Sequence, residues 1–543
     1  MDHRGARALL LLCLAASAAV AARPSLQVPR VEPAALGRIS FPTSGSVAAQ
    51  PAFLRGVLLL HSFEYDDAID AFRRAERIDP RFAMAYWGEA MCFNQPLWFN
   101  EDLDKGRDAI ARMDPAQRAR PVTSREQAYI AAVERLFGSG DKPARDRAYA
   151  DSMRDLARTH PEDDEAAAFY ALALLATVPS GQPNTEISLK AGAIASAILA
   201  RNPRHPGAAH YALHAYGDAE HAAMGLEAAR IYARIAPASS HARHMPSHVF
   251  VPLGMWDEAA VANESAFAAS VEWVRLHHAS AAQQDFHSLA WLQYTYLQQG
   301  RFTKARELSG VVERALASPA APGLHAHVES EIGRGFAPVA LKNELASLRA
   351  RLVVESGRWA DMQERATFDN VDELFALGMA SAKLGDAARA AAAIDHMGRA
   401  IEAAPDSDNR QIAEIMRLEL IGVVKSEARD RPAALRALDA AARLEATRPR
   451  PNARPYPIKP AVELYGEALL EAGDPRAAVG QFQASLARTP RRAASLRGLL
   501  LAASAARLPT EARQAAREFV DAWRHADADR PEIAEARAIL TRR

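Results

Sequence analysis

One arrangement of residues occurs twice in this chain, near its start and again near its end. From Pro51 to Pro80, Gly56, Leu59, Tyr65, Ala68, Phe72 and Ala75 fall where two closely packed helices need them. From Val462 to Pro490, Gly466, Leu469, Gly473, Ala478 and Phe482 repeat that template. Small residues let the helices approach, aromatic rings fill the gap between them, and proline ends the second helix. Partial copies lie between and after: Gly254 with Trp256 and Ala259, Gly300 with Phe302 and Ala305, Gly357 with Trp359, Gly378 with Gly385 and Ala390, and Ala512 with Ala516. At 543 residues the chain exceeds a single ordinary core, so it holds several domains or a repeat array in which each unit packs on its neighbours. The repeated template selects the array: an all-α fold, an α-solenoid of about ten helix–turn–helix hairpins. The alanine-rich segment Ala387–Ala393 suits close helix contact, and long alternating β-branched stretches are missing, so little sheet is expected.

Two histidine pairs stand out against this background. His210 and His214 are four residues apart, as are His244 and His248, and each member of the second pair follows its counterpart by 34 residues. Residues i and i+4 share a helix face, and a histidine pair at that spacing can hold a metal ion. Neighbouring first helices about 10 Å apart would bring the two pairs side by side, to converge on one ion or hold two. The candidate ligands are His210, His214, His244 and His248, and imidazole suits zinc, copper, nickel or iron. Asp218 and Asp285 are close enough in sequence to support the set or join it. Pro246, inside His-Met-Pro-Ser-His, lacks an N–H and is tolerated where a helix begins just before it. That reading leaves His241 outside the helix, puts His244 in its first turn, and offers free amides to an anion.

The template residues, the 34-residue spacing and the segments His61–Tyr65, Ala83–Gly88, His210–Tyr216 and His244–His248 resemble tetratricopeptide repeat proteins, over most of residues 50 to 525, and an exported bacterial subgroup of them. The resemblance implies a concave groove lined by positions two, five and nine of each first helix. His210 and His214 then fall at positions five and nine, His241, His244 and His248 at two, five and nine, and His287 at two of the next unit. All six are expected on one groove. The resemblance speaks to fold and export, and says little about chemistry.

The remaining features mostly set limits. Basic and acidic residues balance at 66 each and are scattered, which gives no footprint for nucleic acid or an anionic membrane. Arg4 and Arg7, the apolar stretch Ala8–Val20 and Ala19-Val20-Ala21 read as a secretory signal over residues 1–22. Leu11-Leu12 before Cys13 argues against a lipid anchor. No later segment has ~20 apolar residues in a row, so no stable membrane insertion is expected after cleavage, and the mature chain is expected to be periplasmic or secreted. One cysteine, Cys92, would remain, which leaves no internal disulfide. The expected organisation is an extended lead-in 23–48, an N-terminal block 49–315, an irregular connector 316–338, a middle block 339–447, a proline-rich connector 448–460 and a C-terminal block 461–543.

Trp87, Trp98 and Phe99 are candidates for an aromatic wall, with core packing the commoner role for such residues. His61 falls near a turn that often borders the groove, and Glu165 opens a helix, where a carboxylate suits the dipole. No phosphate loop, nucleophile elbow or dinucleotide fingerprint is present, and neither histidine pair has the adjacent glutamate of a zinc protease helix. The first functional reading is a groove that binds a peptide, a protein segment or a small anionic ligand, without catalysis. The second is a metalloprotein, or a metal-dependent enzyme, built on the histidines.

Overall fold

The computed structural model describes residues 36–113, 123–178, 184–318, 338–362, 370–403 and 407–541. They form an all-α array in which each helix packs on the next in the chain. The first hairpin, Gln50–His61 and Tyr65–Ile78, turns through three residues. The Phe72 ring of its second helix lies where a side chain at Gly56 or Gly88 would stand, so a Cβ at Gly88 would come within 2.2 Å of it. Phe482 fills the same place between Gly466 and Gly498 near the other end. The twice-written template is thus a knob closed in by glycines on adjacent helices. Asp102, Asp141, Asp163, Asp285, Asp430 and Asp474 cap helix N-termini by accepting backbone amides.

The only strands among the described residues are Asn94–Gln95 and Asn100–Glu101, an antiparallel pair around the short 3₁₀ turn Pro96–Trp98. Residues 36–48 run without helix, and Phe41 from this segment packs against Phe53, Trp87 and Tyr129. Residues 448–460 are likewise irregular. The expected signal and most of the 316–338 connector fall outside the described residues. None of the described helices is long and apolar enough to cross a membrane.

The array departs from contact between chain neighbours alone. One core runs from Leu36 to Leu352 and continues through Leu469–Ala536, while a second core serves the middle helices. The Trp256 indole N–H donates to the Arg491 carbonyl (2.9 Å), Asp527 N–H to the Gly300 carbonyl (3.1 Å), and Ala493 N–H to Gln298 Oε1 (3.0 Å). The C-terminal hairpins therefore brace the region 254–303. The turn glycines Gly254 and Gly300, both at positive φ, permit this, since a Cβ there would collide with the Pro490 carbonyl or the Trp523 ring.

Candidate metal centre

Helix Pro206–Ala215 carries His210 and His214. The segment carrying His241, His244 and His248 is two short helices, Ser240–His244 and Ser247–Phe250, with Pro246 at the join. This corrects the expectation of a helix starting just before Pro246. His241 lies in the first turn of the upstream helix and His244 at its last residue. The amides of His248, Val249 and Phe250 are bonded to Met245 and Pro246 carbonyls, so they are not free for an anion. His287 is the second residue of helix Phe286–Gln298.

These elements sort the six imidazoles into two groups of three. His210 Nε2 lies 2.9 Å from His241 Nε2 and 3.1 Å from His214 Nε2. His244 Nε2 lies 3.0 Å from His248 Nε2, and the His287 ring centre is 4.7 Å from that of His244. Within each trio, one ring nitrogen per residue lies within 4.8 Å of the others. With metal–nitrogen bonds of about 2.0–2.1 Å, tetrahedral ligands stand roughly 3.3 Å apart, close to the spacings seen. The four ligands expected from the 34-residue register thus divide between two cups, each completed by a residue outside that register, His241 or His287.

Hydrogen bonds at the far nitrogen decide which atom each key ring offers. His210 Nδ1 is 2.7 Å from the His61 carbonyl, which only accepts, so Nδ1 carries the proton and Nε2 presents its lone pair. That carbonyl is free because His61 ends helix Gln50–His61. His244 Nδ1 donates to Asn263 Oδ1 at 2.7 Å, and Asn263 in turn donates to the Ala259 carbonyl at 2.8 Å. His210 and His244 are buried, whereas His214, His241, His248 and His287 keep an edge exposed. Burial, ahead of repulsion from neighbouring imidazoles, lowers the pKa of His210, His241, His248 and His287, and brings His214 down to about 3. Burial also lowers His244, against the nearby Asp285 charge. All six are therefore neutral at pH 7, the form that binds metals. The two cups are close enough for His244 to act on His214 electrostatically.

Each cup has an aromatic floor. The Phe63 ring lies 4.3 Å from His210, 5.6 Å from His241 and 5.9 Å from His214. Trp291 lies 4.4 Å from His248 and 5.2 Å from His244. Both cups face a cavity of about 460 Å³. Its other walls include Trp98 from the small strand pair, His221, and Arg450 with Asn452 from the proline-rich connector. Of the aromatic candidates, Trp98 borders the cavity, Trp87 is fully buried in the core, and Phe99 is half-buried beside the turn.

Asp218 and Asp285 are bonded away from the six imidazoles. Asp218 holds its own turn and His221 Nδ1 (2.8 Å). Asp285 caps its helix at Ser288 N (2.9 Å) and accepts from Ser240 Oγ (2.9 Å). The partners found instead, the His61 carbonyl and Asn263, obey no residue spacing that a sequence reveals. His61 is buried rather than on the groove, and its Nε2 bonds Glu165 (2.6 Å). His205 Nε2 approaches the same carboxylate at 3.2 Å. His205 Nδ1 accepts from Ala208 N–H, which leaves its proton on Nε2, and His61 Nδ1 lies 2.9 Å from the Tyr211 hydroxyl. This third cluster is a buried brace centred on the His61–Glu165 hydrogen bond, and it lies away from the cavity that both cups face. Burial would raise the Glu165 carboxyl, but His205 and His61 outweigh it and hold it at about 2. Gly207 makes the brace possible, because a Cβ there would come within 2.3 Å of His61 Nδ1.

Asn263→Ala is expected to lower metal affinity in the second cup about 10–100-fold, as loss of such an orienting partner does elsewhere. The first cup should be unaffected. Competition titration with a chromophoric chelator measures the second cup in a His210→Ala background and the first in a His248→Ala background.

No protein-family model matches the sequence, and no curated protein matches it. Among solved structures, the fold is similar to a chain of the crystal structure of the APC/C hetero-tetramer Cut9–Hcn1 (11% identity, 92% of this chain and 78% of that one, TM-score 0.30). It is also similar to human IFIT1, in the dimer with m7Gppp-AAAA (12% identity, 90% of this chain and 92% of that one, TM-score 0.31). Likeness at that level carries no argument about ligand or activity.

Proposed function

We propose that this chain is a transition-metal protein with two tris-imidazole sites side by side on one cavity, His210–His214–His241 and His244–His248–His287. The observation that carries this is the hydrogen bonding of His210 and His244 at Nδ1, which aims the lone pair of one ring in each cup at its two partners. Six neutral imidazoles with their ring nitrogens this close form two ready-made nitrogen donor sets, in the protonation state that binds metals. Three histidines with an open fourth position are the usual form of a reactive rather than a sealed metal site. A peptide groove, the first sequence-based reading, is supported less well, since a cavity of about 460 Å³ suits a small molecule.

The test is metal analysis of untagged protein after loading and desalting. Two ions per chain are expected, falling to one in either His214→Ala or His248→Ala and to none in the double variant. Retention of two ions in the double variant, or no stoichiometric metal in the parent, would overturn the proposal.

A further inference from the structure

We infer that the paired centre holds copper and uses dioxygen to oxidise a small ortho-diphenol, with His221 taking the hydroxyl proton. This rests on the two-site reading above and goes beyond it to the metal, the co-reactant and the substrate class.

The choice of metal follows from what the cups lack. Neither trio contains a carboxylate or a thiolate. The hard-oxygen metals and the carboxylate-bridged di-iron type are thereby disfavoured, and Cys92 is buried elsewhere, bonded to the Gly88 carbonyl. Two dications in six neutral ligands would place four positive charges in a largely buried site. Asp285, whose charge acts on His244, is already engaged by Ser240 and Ser288. Cuprous ions halve that charge, and three imidazoles satisfy them without a fourth ligand. Copper also heads the affinity order for nitrogen sites.

Two adjacent cuprous ions supply the two electrons that turn dioxygen into bound peroxide, whose charge then compensates the two cupric ions. A first diphenol gives up two electrons and two protons; the O–O bond breaks, one oxygen leaves as water and the other stays as an oxide bridge. A second diphenol gives two electrons, which return the pair to the cuprous state, and two protons, which release that oxide as water. In total, two diphenols and one dioxygen give two quinones and two waters.

The cavity fits this substrate class. Two neighbouring hydroxyls on one ring can span two neighbouring metals. Trp98 lies across from His214 and His241, with ring centres at 6.1 and 6.4 Å, and gives the cavity an aromatic wall for a flat ring. His221 lines the same cavity, and Asp218 holds its Nδ1 at 2.8 Å. That hydrogen bond leaves Nε2 to accept a proton, the arrangement of a carboxylate-oriented base.

The experiment loads the full chain with copper(I) under argon, admits dioxygen, and then adds 4-methylcatechol. Expected are a new near-ultraviolet charge-transfer band on oxygenation, and uptake of one dioxygen per two diphenols at a rate well above the same concentration of free copper. His221→Gln should keep two coppers and the oxygenation band while turnover falls about 100-fold or more. Two bound coppers with neither band nor oxygen uptake, or a centre that takes only zinc, would overturn the inference and leave the two-site reading standing. Loss of stoichiometric metal would remove both. A His221→Gln variant with full turnover would overturn the role given to that residue.

Discussion

Metal-free protein taken from pH 7 to pH 5 is expected to lose several kcal/mol of stability, and the metal-loaded protein to lose far less. Burial holds the six cup histidines below their ordinary pKa in the folded chain, while in the unfolded chain they titrate near 6.5. Below that value the unfolded state takes up protons that the folded state refuses, so stability is full above pH 6.5 and falls as the pH drops toward the folded values. A fully buried neutral histidine loses about 1.4 kcal/mol per pH unit in this window. His210, buried and held well below its ordinary value, would lose about 2 kcal/mol by pH 5, and His244, lowered against the Asp285 charge, adds to that. The four rings with an edge in the cavity add less, since water there tempers the effect. Against a total stability of about 5–15 kcal/mol, that is a large share. Bound metal occupies the same lone pairs and removes the difference until protons displace it. Melting curves at pH 7, 6 and 5, with and without metal, measure both arms; a metal-free protein whose melting temperature is flat across that range would contradict the assignment of neutral, buried rings.

Arg492→Met is expected to cost about 3–5 kcal/mol, the usual result of removing one side of a buried ion pair. Its guanidinium, 1% exposed, grips both oxygens of Glu463 at 2.8 and 3.0 Å and reaches Glu355 at 2.8 Å. Burial would raise the Glu463 carboxyl, but Arg492 and Lys459 outweigh it and hold it at about 2. Without the guanidinium, two buried carboxylates face each other with Lys459 and the Ser495 hydroxyl as the remaining partners of Glu463. The network joins helix Pro338–Ser356, helix Ala461–Glu471 and the start of helix Ala493–Ala505, so the C-terminal hairpins should loosen first. Urea midpoints measure the loss. Adding Glu463→Leu and Glu355→Leu to the variant should recover much of it, as apolar replacement of whole buried ion networks does; an unchanged midpoint in the single variant would show that the ion cluster contributes little.

The helical array was legible because close packing writes itself locally. Gly56 and Phe72, or Gly466 and Phe482, sit at fixed spacings within one hairpin, and the same chemistry recurs wherever the hairpin does. The histidine pairs were legible for the same reason, through the i, i+4 relation. Their division into trios was not, because His241 joins the first cup from a separate short helix and His287 joins the second from another. Each is set by the path of the backbone rather than by a period. The orienting groups were further still from view. One is a main-chain carbonyl, which no residue type announces, and the other is an asparagine on a helix whose pattern reads as ordinary packing. The return of residues 449–527 onto the N-terminal half depends on the accumulated twist of many units, to which each hairpin adds only a little.

Phe63 holds a left-handed backbone (φ 56°) while buried, a conformation that a bulky side chain rarely keeps unless its surroundings insist. Here the surroundings are the rings of His210, His214 and His241, and two residues earlier the same corner lends His210 its acceptor. The bend of the first hairpin and the first trio of imidazoles therefore support each other in both directions. A sprung corner and a set of donor atoms, distant in the chain, behave as one mechanical part, and whatever releases either lets go of both.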